Sequence, residues 1–300
     1  MNIRLGFSNH QGGRPYMEDR ATAYVFDDKK IFCGIFDGHG GSYASSHLAA
    51  TFPIVLAKQK TFDVPINALQ SAWMEMDSSI KIELQKIAAK NKLNTLPNDG
   101  STSTVVLIDN NNVYVTNCGD SACYSISRNG KFNIMTEDHG TKNPDEVRRV
   151  LSVGGSLKQQ KLFQRRFPFC CFKYEVEIAK PRLYPGGLLV TRSFGDFHSK
   201  LLNNKVVIPD HGSIKYIHLT NSNNEEDSID YIILASDGVW DALGIDEIKD
   251  CFNNVFGDIN GITDSNNKSE NRNDKIIPTN FNTFENIYTN NKGTITKYYR

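Results

Sequence analysis

Residues 22–41, TAYVFDDKKIFCGIFDGHGG, decide how this chain folds. Two runs rich in Val, Ile, Phe and Tyr flank the polar turn DDKK, a pattern that predicts a β-hairpin. The second run leads directly into Asp37, which is followed by Gly38, His39 and two more glycines. The sequence therefore places a carboxylate and an imidazole at the end of a strand, where neighbouring side chains give little cover.

Helical patterns follow this hairpin. Ala- and Ser-rich residues 41–60 predict a helix, in which Pro53 marks a kink or a break. Apolar residues at steps of three and four over 66–87 predict a second, longer amphipathic helix. The helix start signal NPDE predicts a short helix at 144–153, and a last helix is expected at 245–256.

Further strand patterns are β-branched and aromatic runs bounded by turn residues. They lie at 101–108, 112–118, 122–136, 187–194 and 230–236. Asn129-Gly130 splits the third run into a hairpin. Because strands and helices come in blocks rather than in alternation, we expect an α+β fold of two packed antiparallel sheets covered by helices.

The overall charge argues against two classes of partner. Lys plus Arg and Asp plus Glu both number 34, so no general field attracts nucleic acid or an anionic membrane. There is no apolar run of roughly 18 residues and no signal-peptide core, so we expect an intracellular protein, cytoplasmic and/or nuclear. No coiled-coil seam is present, and a monomer is the expectation.

The cysteine and asparagine content of the chain indicates its redox state and its domain boundary. The six cysteines form no CxxC pair and are expected to be reduced thiols, and the histidine spacing does not match a zinc site. Twelve of the 40 residues in 253–292 are Asn. We therefore expect a folded domain over 1–252 and a disordered, Asn-rich insertion or tail over 253–300.

Acidic residues recur where strand patterns end, next to glycine. They are Glu18, Asp19, Asp37, Asp120, Asp138, Asp196 and Asp237. A lone Asp-Gly pair is ordinary turn chemistry. The strands before Asp37 and Asp237, however, are apolar enough to be central, where unpaired negative charge is costly. Clustered oxygen ligands favour a hard ion such as Mg²⁺ or Mn²⁺.

Six segments, in order, resemble the motifs of the metal-dependent Ser/Thr protein phosphatases of type 2C, the PPM family. They are HQGGRPYMED, FDGHGG, NCGDS, TEDH with NPDEVRRVLSVGG after it, GGLLVTRSFGD and ILASDGVWD. The resemblance implies a four-layer α-β-β-α sandwich with a metal site of two Mg²⁺ or Mn²⁺ ions. It also implies that phosphoprotein substrates are hydrolysed by metal-activated water, without a covalent intermediate.

The resemblance also implies roles for the residues of the metal site. Asp37 would bridge the two metals, the carbonyl of Gly38 would bind one of them, and Asp237 would ligate the other. Glu18 and Asp19 would hold waters of the metal shell.

Four further residues have implied roles with alternatives. Arg14 would grip the phosphate, unless it forms a surface salt bridge. His39 would protonate the leaving oxygen as general acid, unless it donates to a metal-bound water. Asp138 would ligate a weaker third ion and Asp241 would support that site, unless each is a helix cap or turn residue.

The segment at 158–173 is locally basic and longer than is usual in the family. Arg165 and Arg166 would select acidic or multiply phosphorylated substrates there, or the segment is a solvated basic loop.

The family's last motif resembles GSxDNITVIVV, and it has no clear match here. The nearest stretch, NNKGTITKYYR, puts Gly293 where a metal-ligating Asp would fall, with no apolar strand after it. We expect that the chain stops before the motif; the alternative is a lost ligand. A lost ligand would favour an impaired pseudophosphatase that binds phosphoproteins or acts as a scaffold. A P-loop enzyme is disfavoured because GxxxxGK[ST] is absent.

Overall fold

The helices of the computed structural model follow the predicted patterns closely. The structure describes residues 3–159, 161–165, 173–177, 180–209, 212–219, 229–256 and 294–295. The helices are Tyr43–Ala57 (α1), Pro65–Lys90 (α2), Pro144–Ser152 (α3), Asp237–Trp240 (α4) and Ile245–Phe256 (α5). Pro53 does not break α1, which continues to Ala57 with the proline buried. The short helix α4, which begins at Asp237 itself, was not predicted.

The strands, in chain order, define several antiparallel sheets. They are Arg20–Val25 (β1), Lys30–Phe36 (β2), Gly38–His39 (β3), Gly100–Ser101 (β4), Ser103–Asp109 (β5), Asn112–Cys118 (β6), Ala122–Ser127 (β7), Phe132–Ile134 (β8), Ser156–Lys158 (β9), Lys161–Arg165 (β10), Lys173–Glu177 (β11), Arg182–Tyr184 (β12), Phe194–Gly195 (β13), Leu201–Leu202 (β14), Lys205–Val206 (β15), Ser213–His218 (β16), Ile229–Ala235 (β17) and Thr294–Ile295 (β18).

The largest sheet has the order β16-β6-β5-β2-β1-β18. The predicted hairpin supplies its neighbouring strands β2 and β1, with Arg20 opposite Phe36 and Val25 opposite Ile31. The edge strand of this sheet corrects the expectation that no strand follows Gly293. A two-residue strand does follow position 293, because β18 pairs with β1, although Gly293 itself lies outside the described residues.

The second main sheet has the order β17-β7-β8, and it corrects two expectations. The strand before Asp237 is at the edge of this sheet in the described part of the chain, so it is half-exposed rather than central. The run at 187–194 forms a strand only at its end, in β13. Its buried residues Thr191 and Ser193 instead bond singly to loops, from the Thr191 amide to the His139 carbonyl at 2.8 Å and from the Ser193 amide to the Pro209 carbonyl at 3.1 Å.

Alternation along β5 divides the core between the helices and the second sheet. Val105 and Leu107 point into the cluster that contains α1 and α2, whereas Val106 points into a cluster shared with β7 and β17. Phe252 of α5 packs edge-on against the rings of Phe132 and Tyr231. The fold is thus a mixed one, in which antiparallel sheets pack together and carry helices.

A buried ion network ties α3 to the segment that leads into β13. Glu146 is only 3% exposed. It accepts hydrogen bonds from Thr191 Oγ1 at 2.7 Å, Arg192 Nη2 at 2.6 Å and Arg149 Nη2 at 3.0 Å. Five donor atoms in all converge on this carboxylate, so its negative charge is fully compensated.

Several predictions concern residues that lie partly or wholly outside the described ranges. Cys33, Cys118, Cys123 and Cys251 form no disulfide with one another, whereas Cys170 and Cys171 lie outside the described residues. In the basic segment, β10 and β11 pair as antiparallel strands; Arg165 is the last residue of β10, and Arg166 lies outside the described residues. The Asn-rich stretch beyond 256 lies outside, apart from β18. In the described ranges no helix is long and apolar enough to cross a membrane.

Candidate active site

The end of β2 fixes Asp37 through its backbone on both sides. The Asp37 amide donates to Thr102 Oγ1 at 3.1 Å, and the Thr102 amide donates to the Asp37 carbonyl at 2.9 Å. The next residue must be glycine, because a Cβ on Gly38 would lie 2.6 Å from the Glu18 carbonyl oxygen. Ser45 Oγ of α1 donates to that same oxygen at 2.5 Å. Helix α1, the segment before β1 and the end of β2 are thus held together at one point.

Four acidic side chains, Asp19, Asp37, Asp120 and Asp237, form what we call the carboxylate cluster. The pKa of Asp37 is raised to about 9, mainly by burial and then by the charges of Asp19, Asp237 and Asp120. Ser236 Oγ donates to Asp19 Oδ2 at 2.8 Å, which links the segment before β1 to the start of α4. The cluster therefore brings acidic groups together in a partly desolvated place.

Asp120 belongs to this cluster although the resemblance assigned it no role. Burial is the main reason that its pKa rises to about 6, followed by the charges of Asp237 and Asp138. It follows Gly119, whose φ of +108° turns the chain at the end of β6. The same strand-end signal that marked Asp37 was present in the sequence at Asp120.

At this site the carboxylates of the described residues influence one another's charge, but their side chains are not arranged as the ligands of one ion. In the described ranges, no group of three or more His, Cys, Asp or Glu side chains is arranged closely enough to hold a metal ion. The raised pKa values nevertheless place the carboxylates within electrostatic reach of one another. The two observations are compatible, because charges interact over longer distances than those that separate the ligand atoms of one metal ion. The donor set, all carboxylate and carbonyl oxygen, is of the kind that hard divalent cations prefer.

Asp138 and Asp241 lie at the outer side of the carboxylate cluster, and both are exposed. Asp241 ends α4 and accepts hydrogen bonds from Lys180 and, at 3.1 Å, from Lys142. The hydrogen bond from Lys180 is the main reason that the pKa of Asp241 is lowered. The lysines were not predicted, since they are 61 and 99 positions from Asp241 in sequence. The metal roles of Asp138 and Asp241 stay predictions.

His39 makes a close contact with a buried carboxylate. Its Nε2 lies 2.7 Å from Asp196 Oδ2, and Ser193 Oγ donates to the same oxygen at 2.6 Å. Burial would lower the pKa of His39, but the hydrogen bond and the charge of Asp196 outweigh it, and the pKa is raised. His39 therefore tends to carry a proton next to the carboxylate cluster, which is the state that a proton donor needs.

The segment before β1 carries the remaining predicted residues. Glu18 and Asp19 are half-buried beside Gly38, and Asp19 belongs to the carboxylate cluster. Arg14 is exposed in the same segment, and its amide donates to the Gln11 carbonyl at 3.4 Å. The contacts of the described residues do not link its guanidinium group to the cluster. The phosphate role of Arg14 stays a prediction.

Comparisons with known proteins agree on one family. Residues 3–275 match the family described as Protein phosphatase 2C. Human Protein phosphatase 1A is 27% identical over 266 residues, which cover 83% of this chain and 60% of that protein. This chain therefore spans less than two thirds of the length of that relative.

Two solved structures share the fold. A serine-threonine phosphatase 2C from Toxoplasma gondii has a TM-score of 0.57 at 21% identity, covering 79% of this chain and 78% of that one. A C. elegans sex determining protein has a TM-score of 0.60 at 23% identity, covering 80% of this chain and 52% of that one. At these identities the likeness concerns the fold alone.

Proposed function

This chain belongs to the protein phosphatase 2C family, and we propose that it hydrolyses phosphoserine and phosphothreonine in proteins with Mg²⁺ or Mn²⁺ as cofactor. The observation that carries the proposal is Asp37, a desolvated carboxylate that three other aspartates surround. Such a group is stable as an anion only when cations compensate it. Its all-oxygen neighbourhood suits a hard divalent ion.

In this proposal the chain's own residues divide the work between metal binding and substrate handling. Asp37, the Gly38 carbonyl and Asp237 would hold the core ions, with Glu18 and Asp19 bonding to their waters. When bound, a pair of such ions lowers the pKa of a shared water towards about 7 and stabilises charge on the phosphoryl group. Asp138 and Asp241 would take part in a weaker third site.

Substrate handling falls to a cation and a proton donor. Arg14, which is exposed, would bind two phosphoryl oxygens with its planar guanidinium group. His39 would give a proton to the serine or threonine oxygen as the bond to phosphorus breaks. The raised pKa of His39 supports this role.

The proposal extends to the domain and its partners. The helix and sheet clusters support a four-layer α-β-β-α sandwich, with α1 and α2 on one side and α5 on the other. We propose that residues 1–252 form the phosphatase domain, that 253–300 are an Asn-rich insertion or tail, and that the protein acts on phosphoproteins as a monomer inside cells.

The test is phosphate release from a phosphothreonine peptide by the 300-residue chain with Mn²⁺. We expect release that EDTA abolishes and that Asp37→Asn reduces by a factor of about a hundred or more. Asp230→Asn is the matched control, because this residue pairs with Arg128 at the surface, away from the cluster. Equal release by wild type and Asp37→Asn, or release without metal, would overturn the proposal. Phosphopeptide binding without release would instead favour the pseudophosphatase alternative.

A further inference from the structure

Three short strands, β3, β4 and β13, bring His39 beside Asp196 across 157 positions of sequence. The strand order is β13-β4-β3. Gly100 of β4 lies opposite His39 on one side and opposite Gly195 on the other. Asp196 follows Gly195 directly, so this small sheet places the imidazole and the carboxylate on either side of one glycine.

Gly100 is the residue that permits the contact. A Cβ at this position would meet both Asp196 Oδ2 and His39 Nε2 at less than van der Waals distance. Any side chain here would therefore push the two groups apart. The absence of a side chain at residue 100 is a requirement of the His39–Asp196 pair.

Asp196 is held in an unusual state for an aspartate. It is 1% exposed, and its φ of +49° lies in the left-handed region, which costs free energy for a residue with a Cβ. Its amide donates to the Asp99 carbonyl at 3.1 Å, and its carbonyl accepts from the Ser199 amide at 2.8 Å. The backbone is thus fixed on both sides, and the carboxylate is fixed by Ser193.

Among the described residues, the ring of His39 is held at one edge only. Nε2 is turned to Asp196, while the side chain keeps 28% of its surface exposed. Nδ1 is therefore the ring nitrogen left to face a substrate. A carboxylate that fixes one nitrogen of a histidine also fixes the orientation and the tautomer of the ring.

We propose that Asp196 is a positioning residue, which holds His39 through Nε2 so that Nδ1 points at the leaving oxygen of the substrate. This inference rests on the proposed phosphatase function. Within that reaction it assigns a task to a residue outside the carboxylate cluster. Gly100 and Ser193 serve the same arrangement, one by leaving room and the other by holding the carboxylate.

The activity test compares two leaving groups. A threonine oxygen needs a proton to leave, whereas the acidic phenol of p-nitrophenyl phosphate leaves without one. We expect Asp196→Ala to lower kcat for a phosphothreonine peptide by about ten- to a hundredfold, within the range of general acid catalysis, and to change kcat for p-nitrophenyl phosphate little. KM for both substrates should stay within about twofold, since the substituted residue does not bind substrate.

Variants separate positioning from folding. Asp196→Asn can still accept a hydrogen bond from Nε2, and Asn tolerates the left-handed conformation, so it should restore part of the peptide activity. Asp196→Ala added to His39→Gln should have no further effect on the ratio of the two kcat values. Asp230→Ala is the surface control. Equal losses on both substrates, or an unchanged ratio in Asp196→Ala, would overturn the proposal.

A second readout does not depend on turnover. In protein with ¹⁵N-labelled histidine, the His39 ring signals are identified by their absence in His39→Gln. We expect a protonated, hydrogen-bonded Nε2 in wild type and a changed ring signal in Asp196→Ala. If wild type and Asp196→Ala give the same His39 signals, the inference fails whatever the activity. If no wild-type phosphate release is found, the proposed function fails, and these signals still decide whether Asp196 holds the ring.

Discussion

Replacing Glu146 by Gln tests how α3 holds the segment that carries Ser193 and Asp196. The substitution keeps the shape of the side chain but removes the carboxylate charge that pairs with Arg149 and Arg192 at a buried place. Breaking a buried ion pair by removing one partner typically costs about 3–5 kcal/mol. Because the Gln carbonyl still accepts one or two of the hydrogen bonds, we expect a loss of about 2–4 kcal/mol in the free energy of unfolding.

The pH dependence of this loss has a definite sign. Burial alone would raise the pKa of Glu146, but the hydrogen bonds from Arg192, Arg149 and Thr191 outweigh it, and the pKa is well below the usual value. A lowered pKa in the folded state stabilises the protein above the unfolded value of about 4.3, and this stabilisation is lost as the pH falls below it. The difference between wild type and Glu146→Gln should therefore be constant above about pH 6 and shrink in acid.

The assay is urea and thermal unfolding of both proteins between pH 3.5 and 8. At neutral pH the midpoint temperature should fall by about 5–15 °C. Glu83→Gln is the matched control, since Glu83 is 35% exposed and pairs with Lys86 on the surface of α2; its change should stay below about 0.5 kcal/mol. A loss below about 1 kcal/mol for Glu146→Gln, or a loss that persists unchanged in acid, would refute the reasoning.

Three further substitutions probe the cluster, a helix end and the core. In EDTA, Asp37→Asn should stabilise the protein, because a pKa of about 9 means that a wild-type carboxylate costs stability as the pH rises from about 4 to 9. The gain in the free energy of unfolding should be at most about 4 kcal/mol at pH 7 and should vanish near pH 4. Thermal unfolding that shows destabilisation instead would contradict this prediction. Asp99→Ala removes the carboxylate that accepts from the Tyr43 and Ala44 amides at 3.1 and 2.7 Å, so α1 should lose about 1–2 kcal/mol, and unchanged hydrogen exchange of these amides would speak against it. Phe52→Ala empties a fully buried position between helices and sheet and should cost about 3–5 kcal/mol in urea unfolding; a cost below 1 would show that the site collapses freely.

Local patterns predicted most of the regular structure, for a physical reason that particular elements show. The hairpin of β1 and β2, the amphipathic helix α2 and the capped start of α3 each depend on residues close in sequence. In α3 the Asn143 side chain accepts from the Asp145 amide at 2.9 Å, as the NPDE signal indicates. The prediction of a strand over 187–194 was wrong for most of that run, because its residues are buried by loops that form single hydrogen bonds with it rather than by a sheet.

The site divides in the same way between sequence and structure. The sequence by itself determined that Asp37 and Asp237 stand where strands end, beside glycines, and the order of six motifs determined the family. Only the tertiary structure decided which charges meet: that Asp120 joins the carboxylate cluster, that Asp241 pairs with two lysines, and that His39 faces Asp196. A strand-end pattern predicts that a carboxylate lies at the rim of the core. Which group it pairs with depends on the register of strands that are distant in sequence and on the glycine between them, and no local pattern predicts that register.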